Sequence, residues 1–225
     1  MVKRHLKRHA TPNTWPIPRK TTKFVVKPRS GSHRLAQGMA ISTVLKFLEL
    51  CETTKEVKYA LTHSEVLVNN KRVKDFKFMV GFMDVLSVPE KGLFYRMSLG
   101  KNGKLAMVAI DKKEAELVLC SIVGIRKVAS GKLQYNCHNG YNFLVDKHDY
   151  KRLDTLIYNA AKRKIEGKLP LEPGAPVLLI SGGFAGAFGT FIKAEGSVGE
   201  IKLNGKSHKT ALKYIFPIGD KLTIR

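Results

Sequence analysis

The stretch VLLISGGFAGAFGTF, Val177 to Phe191, places Gly182, Gly183, Gly186 and Gly189 directly after an apolar run. Glycines so placed cradle phosphate when their backbone N–H groups open a helix or lead into Gly-Lys-Ser/Thr. Here Gly189 is followed by Thr190 and Phe191, and the continuation GTFIKAEG is β-branched and aromatic before it breaks at Gly196. It reads as strand, loop, strand, so both the lysine and the helix dipole of a nucleotide site are missing. Metal chemistry fares no better. His5 and His9 have i,i+4 spacing but lie in a Lys/Arg-dense arm without a carboxylate, which repels a cation. His33, His63, His138, His148 and His208 share no ligand spacing. Cys51, Cys120 and Cys137 are scattered, which argues against a disulfide framework and a thiolate zinc site. Cys51 and Cys120 fall in apolar patterns read as helical, where a cysteine acts as a small buried hydrophobe. No metal, cofactor or small-molecule substrate is expected.

One carboxylate invites an enzymatic reading. Arg152-Leu153-Asp154 resembles the catalytic-aspartate motif of pseudouridine synthases, which often carry an N-terminal helix–helix–strand RNA module. The following TLIYN does not continue those enzymes' threonine and glycine pattern, and the chain is short for their catalytic domain. Asp154 is more simply a turn residue before a strand or helix. An RNA-modifying enzyme is the rival reading, and a free RNA chaperone or translation regulator is the next.

Charge points to the partner. The 225 residues hold 40 Lys+Arg against 18 Asp+Glu, a formal +22. Such a field attracts a polyanion, and nucleic acid leads because each neutralised phosphate releases counterions. No segment reaches the apolar length of a membrane span and no signal-peptide core follows the N-terminal charges. A soluble, cytosolic chain with no membrane partner is expected. From Met1 to Leu48 there are eleven Lys/Arg and no acid. Pro12, Pro16, Pro18 and Pro28 keep this stretch extended. Trp15, Phe24 and Val25-Val26 set it apart from a plain basic tail and suit an arm that orders on RNA through phosphate contacts and stacking.

The elements that position these residues follow from local pattern. Ser42 is read as the N-cap of a first helix with Val44, Leu45, Phe47, Leu48 and Cys51 facing inward. Thr53 or Thr54 caps a second helix, Glu56 standing at capping-box spacing from Thr53. Val57, Ala60 and Leu61 form its apolar stripe, while Lys55, Lys58 and Tyr59 face elsewhere. VLVNNKRV is a hairpin about Asn69-Asn70, and DVLSV a further strand. LFYRMSL and KLAMVAI pair about Gly-Lys-Asn-Gly. DKKEAELVLCSIVGI reads as a helix capped by Asp111. KLQYNCHNGYNFLV is a hairpin about Asn139-Gly140, DTLIYNAAKRKIEGKL stays open between helix and strand, and GEIKLNG and ALKYIFPIG are the last two strands. Short strands with glycine turns dominate the second half, as in small barrels.

Taken in order, VKRHLKRHATPNTWPIPRK, GSHRLAQGMAISTVLKFL, VLVNNKRVKDFKFMVGFMDVLSV, FYRM, QYNCHNGYNFLV, ISGGFAGAFGTF and IFPIGDK resemble the archaeal and eukaryotic type of small-subunit ribosomal protein four over nearly the whole chain. The resemblance implies an α+β multidomain protein. Its parts would be an extended basic N-terminal arm (1–40), a helix–helix–strand RNA-binding module (41–90), a β-rich central domain (91–170) and an SH3-like small β-barrel with a KOW motif (171–225). It resolves DTLIYN as a strand. It also implies that Lys55, Lys58, His63, Lys71 and Arg72 approach phosphate, and that Gly182, Gly183, Gly186 and Gly189 shape the KOW loop. Ser32 and Ala40 stand where the family usually has proline, Asn70 where it has glycine, and Asn139 where it has aspartate. The loop carries Phe184, Ala185, Ala187 and Phe188 where polar or basic residues are common, which suits a protein neighbour or a base.

The expected function is that of a structural, ribosomal-RNA-binding constituent of the small ribosomal subunit, beside neighbouring ribosomal proteins in the cytoplasm, and not an enzyme. The expected RNA contacts are Lys3, Arg4, Lys7, Arg8, Trp15, Arg19, Lys20, Lys23, Lys27, Arg29, His33, Arg34, Lys46, Lys55, Lys58, His63, Lys71, Arg72 and Lys74.

Overall fold

In the computed structural model, which describes residues 5–128, 131–145 and 149–219, the proline-rich N-terminal stretch is extended and folded back on itself. Two short strands, β1 (Leu6–Lys7) and β2 (Phe24–Val25), pair antiparallel and close a lobe. Trp15 is 3% exposed, and its indole N–H donates to the Leu35 carbonyl at 3.0 Å. Leu105 N–H donates to the Thr14 carbonyl at 2.7 Å. An indole with its one donor satisfied supplies a large apolar contact, so the arm is docked by its single tryptophan. The lobe belongs to the first of two compact units, which runs to Ser98 and resumes over Lys104–Glu116.

Next come β3 (Gly38–Ala40), α1 (Ile41–Phe47), α2 (Thr54–His63), β4 (Leu67–Val68), β5 (Lys71–Arg72), β6 (Met79–Gly81) and β7 (Val85–Val88). The Ser42 cap is corrected: Ala40 holds the N-cap position, and Ser42 lies buried inside the first turn. Ala40 is extended (φ −64°, ψ 139°) and ends β3, so the sheet delivers the chain into the helix without a side-chain cap. Val44 and Leu45 face inward as expected, but α1 stops at Phe47, which is exposed, and Cys51 lies beyond it, half-buried. The α2 cap is as read. Thr53 Oγ1 accepts from Glu56 N–H at 3.2 Å, and the Glu56 carboxylate accepts from the Thr53 hydroxyl and from Glu52 N–H at 2.7 and 2.8 Å. Val57 and Leu61 are fully buried on the inner face. Asn69 and Asn70 have φ of 49° and 59°, the left-handed pair a two-residue type I′ turn demands.

The hairpin β8 (Leu93–Leu99) and β9 (Leu105–Ala109) extends the same sheet, whose order is β5-β4-β7-β8-β9. Strands from both sides of residue 90 thus share one sheet. The helix expected after Asp111 shrinks to one turn, α3 (Lys112–Ala115), and Leu117–Lys127 is the long strand β10. Cys120 therefore lies in a strand rather than a helix. Val118, Ile122, Val123 and Ile125 are β-branched and favour the pleated backbone, whereas the acids behind the helical reading govern only the first turn.

In the second unit, β10 joins β11 (Leu133–Cys137), β12 (Asn142–Val145), β13 (Thr155–Asn159) and β14 (Lys164–Leu169) in the order β12-β11-β10-β13-β14. The ambiguous DTLIYN is strand β13. A second antiparallel sheet follows, of β15 (Pro176–Leu179), β16 (Phe188–Glu195), β17 (Val198–Leu203), β18 (Lys206–Ala211) and β19 (Ile215–Pro217), in the order β18-β17-β16-β15-β19. Val177, Leu179, Phe191, Ile201, Leu203 and Ile215 form its core. The sequence reading missed β18, whose KSHKTA lacks apolar alternation, and began the last strand too early at Ala211. The result is a β-rich α+β chain with few helices. Among the described residues no helix is long and apolar enough to cross a membrane.

Candidate nucleic-acid interface

Helix α2 presents one polar face. Lys55, Lys58, Tyr59, Thr62 and His63 recur at helical spacing and are all exposed, opposite the buried Val57 and Leu61. The β4–β5 hairpin is tied to this helix end by Arg72, whose Nη2 donates to the Thr62 carbonyl at 3.2 Å. Lys71 and Lys74 are exposed beside it. Lys58 Nζ lies 4.8 Å from the Phe76 ring centroid and Lys77 Nζ 5.5 Å from it. Lys46 is half-buried, its Nζ donating to Thr54 Oγ1 at 3.1 Å. The α2 carboxylate Glu56 is held below its usual range by the Thr53 hydroxyl and then by Glu52 N–H, so it stays charged while committed to the cap. Five of the expected contacts, Lys55, Lys58, His63, Lys71 and Arg72, thus come together on the helix–hairpin edge.

The N-terminal cations divide into two kinds. Lys7, Lys20, Lys23 and Arg34 are exposed and Lys27 is half-buried. Arg8 is turned inward on its own lobe, donating to the Pro18 carbonyl at 2.8 Å and to Thr22 Oγ1 at 2.7 Å. Arg19 donates to the His9 and Thr11 carbonyls and to Asn13 Oδ1. Arg29 pairs with Asp75 at 3.0 Å on the surface. Trp15 offers no ring face to solvent. His33 is buried, its Nε2 2.9 Å from Asp84 Oδ2. Lys3 and Arg4 lie outside the described residues. Tyr59, 66% exposed on the cationic face, was not among the expected contacts. Its signal was an aromatic placed off the apolar stripe of an amphipathic helix.

The glycine loop has a structural explanation. Gly186 N–H donates to the Leu179 carbonyl at 2.8 Å and Leu179 N–H to the Ala187 carbonyl at 3.0 Å. Gly186 has φ 83°, and a Cβ there would fall 2.0 Å from the Gly100 carbonyl oxygen. At Gly189 a Cβ would meet Leu203 and the Lys202 carbonyl at 2.6 Å. Gly182 needs its φ of 98° but has open space, and Gly183 is in ordinary backbone space with nothing near. Close backbone approach accounts for Gly186 and Gly189 and a positive φ for Gly182, while nothing in the structure explains Gly183. Phe184 at the tip is 50% exposed and lies 4.6 Å from the His208 ring.

The candidate catalytic carboxylate is likewise structural. Asp154 is buried, its Oδ2 accepting from Lys151 N–H at 2.9 Å and its Oδ1 from Leu171 N–H at 3.3 Å. It does not line the neighbouring cavity of about 600 Å³ formed around Arg152, Leu153, Val198 and Leu212. Burial, followed by the Glu56 charge, pushes the Cys51 thiol up, away from the thiolate a nucleophile needs. Among the described residues no group of three or more His, Cys, Asp or Glu could hold a metal ion.

Three family profiles match along the chain: the RS4NT (NUC023) domain over residues 2–36, the S4 domain over 41–86 and ribosomal family S4e over 91–165. Small ribosomal subunit protein eS4 of Nanoarchaeum equitans is 36% identical, covering 96% of each chain. The protein of the same name from Methanocella arvoryzae is 35% identical, covering 100% of this chain and 92% of its own. The crystal structure of the 30S ribosomal protein S4e from Thermoplasma acidophilum superposes with a TM-score of 0.71 at 25% identity, over 82% of this chain and 96% of that one. With a helix–hairpin edge of clustered cations and end-to-end likeness to these relatives, the chain belongs to the eS4 family of small ribosomal subunit proteins.

Proposed function

We propose that this chain is a structural constituent of the small ribosomal subunit that binds ribosomal RNA through backbone phosphates and supports subunit assembly and translation in the cytoplasm. The observation that carries the reading is the α2–hairpin edge, where the cations Lys55 and Lys58 stand on a capped helix beside His63, and Lys71 and Arg72 on the strand that follows a tight turn. Fixed cations neutralise phosphates and release counterions without reading sequence. Lys7, Lys20, Lys23 and Arg34 of the N-terminal lobe are further exposed cations open to phosphate. Residues 171–225 are read as a KOW-type small β-barrel, a reading supported by the five antiparallel strands and the glycine loop between β15 and β16. Neighbouring ribosomal proteins are the other partners. Asp154 is given no catalytic part, since the family is one of ribosomal structural proteins and its carboxylate accepts two backbone N–H groups.

Sedimentation tests the proposal. The protein should travel with small subunits through a sucrose gradient at low salt. Lys55→Ala, Lys58→Ala and Arg72→Ala should each shallow the log–log salt slope of ribosomal RNA binding by about 1. Protein that stays at the top of the gradient and binds no RNA would sink the reading. A free RNA chaperone would bind RNA yet still stay at the top.

A further inference from the structure

Tyr59 and His63 stand one turn apart on α2, their ring centroids 4.0 Å apart and their planes within 21° of parallel. His63 Nδ1 lies 3.0 Å from the Tyr59 carbonyl, a contact that fixes the imidazole against the helix. Tyr59 is 66% exposed, so the pair projects from the helix as a two-ring stack with an outer face open to solvent. Exposed tyrosines are common singly, and exposure alone says little. This one is already stacked, on the face that also carries Lys55 and Lys58.

We propose that the Tyr59–His63 stack is a platform for one unpaired nucleobase, so that α2 takes a single-stranded or bulged nucleotide and not a duplex backbone alone. This rests on the RNA reading above. Aromatic faces bind any base by π-contact, and cations one turn away hold the flanking phosphates. A second ring behind Tyr59 keeps it oriented before the base arrives, which lowers the ordering cost of binding. The alternative occupant is a protein neighbour. The composition of the face argues against it, because interface cores are depleted in lysine and Lys55 and Lys58 are exposed on the same helix within one turn of this tyrosine. Glu56, the adjacent acid, is engaged in the Thr53 cap and does not cover the platform.

The test uses the full chain and two probes, a mixed-sequence single-stranded RNA 12-mer and a blunt RNA duplex of the same length. Tyr59→Ala should weaken single-strand binding about tenfold with an unchanged salt slope, and leave duplex binding as it was. Tyr59→Phe should retain wild-type affinity, and His63→Ala should weaken the single strand in the same direction as Tyr59→Ala. Lys58→Ala should shallow the slope with both probes. Tyr59→Ala without effect on the single strand, while Lys58→Ala still acts, would overturn the platform and leave the RNA reading standing. Equal losses on both probes, or a changed slope for Tyr59→Ala, would also overturn it. Wild-type protein that binds neither probe would defeat the RNA reading itself.

Discussion

His33 Nε2 lies 2.9 Å from Asp84 Oδ2 across 51 residues of chain, with both side chains buried. The same carboxylate accepts from Gly81 N–H and from Asn69 Nδ2, each at 2.8 Å, and Asn69 Oδ1 accepts from Val85 N–H at 2.8 Å. One buried acid therefore links the end of the N-terminal arm, the β6–β7 turn and the Asn69-Asn70 hairpin. Asp84→Ala would leave three buried donors unmet and should cost about 3 kcal/mol in urea unfolding. Under limited proteolysis His33→Ala should speed cleavage within residues 5–32. An unaltered cleavage pattern would show that the arm is held by other contacts alone.

Gly81 belongs to the same arrangement, since a Cβ there would lie 2.2 Å from the His33 ring. Gly81→Ala alone should therefore destabilise the protein, and adding His33→Ala should recover part of the loss. A double-mutant cycle checks this, and strict additivity would count against it.

Trp15 is the only tryptophan, so its fluorescence reports one site. Buried against the Leu35 carbonyl, it should emit at short wavelength, resist acrylamide quenching and stay unchanged when RNA is added. A large RNA-induced quench would mean that the indole leaves its pocket to stack. Trp15→Ala should cost roughly 3–5 kcal/mol as a large-to-small core change.

The α2 cap has a pH signature. Glu56 is held below its usual range, chiefly by the Thr53 hydroxyl, so its folded pKa lies under its unfolded one. Its contribution is present above the unfolded carboxylate pKa and is lost as pH falls through the lower folded value. Thermal unfolding followed by helix circular dichroism should show a stability loss in that acid window, and Glu56→Gln should diminish it. Thr53→Ala should lower stability by about 1 kcal/mol at neutral pH.

The two left-handed glycines of the β15–β16 loop should separate strain from collision. Gly182→Ala meets only its positive φ and should cost about 1 kcal/mol. Gly186→Ala adds a collision with the Gly100 carbonyl oxygen and should cost clearly more. Equal melting temperatures for the two variants would contradict the close approach.

How far the sequence reached depended on whether the signal was local. The Thr53–Glu56 cap, the Asn69-Asn70 turn and the strand–loop–strand around Gly186 are fixed by residues a few positions apart, and their chemistry reads directly. Leu117–Lys127 failed because a short apolar run fits a buried strand as well as a helix, and the acids before it favoured the wrong choice. The burial of Trp15 and the His33–Asp84 contact were out of reach, because their partners lie 20 and 51 residues away. The site divided along the same line. The outward facing of Lys55 and Lys58 was legible from helical spacing, whereas Arg8 and Arg19 look like uncommitted surface cations until the fold supplies their main-chain acceptors.

Those two arginines have a wider consequence. The N-terminal lobe contains no acid, and Arg8 and Arg19 find their acceptors in the carbonyls of Pro18, His9 and Thr11 instead. Main-chain oxygens do not titrate, so the lobe keeps these braces at any pH that leaves the fold intact. The exposed Lys7, Lys20 and Lys23 are carried on main chain that these two guanidinium groups tie together across ten and eight residues. Cross-ties of this kind leave fewer backbone states to be lost in any later contact, so they act as internal hinges pinned shut by the chain's own carbonyls.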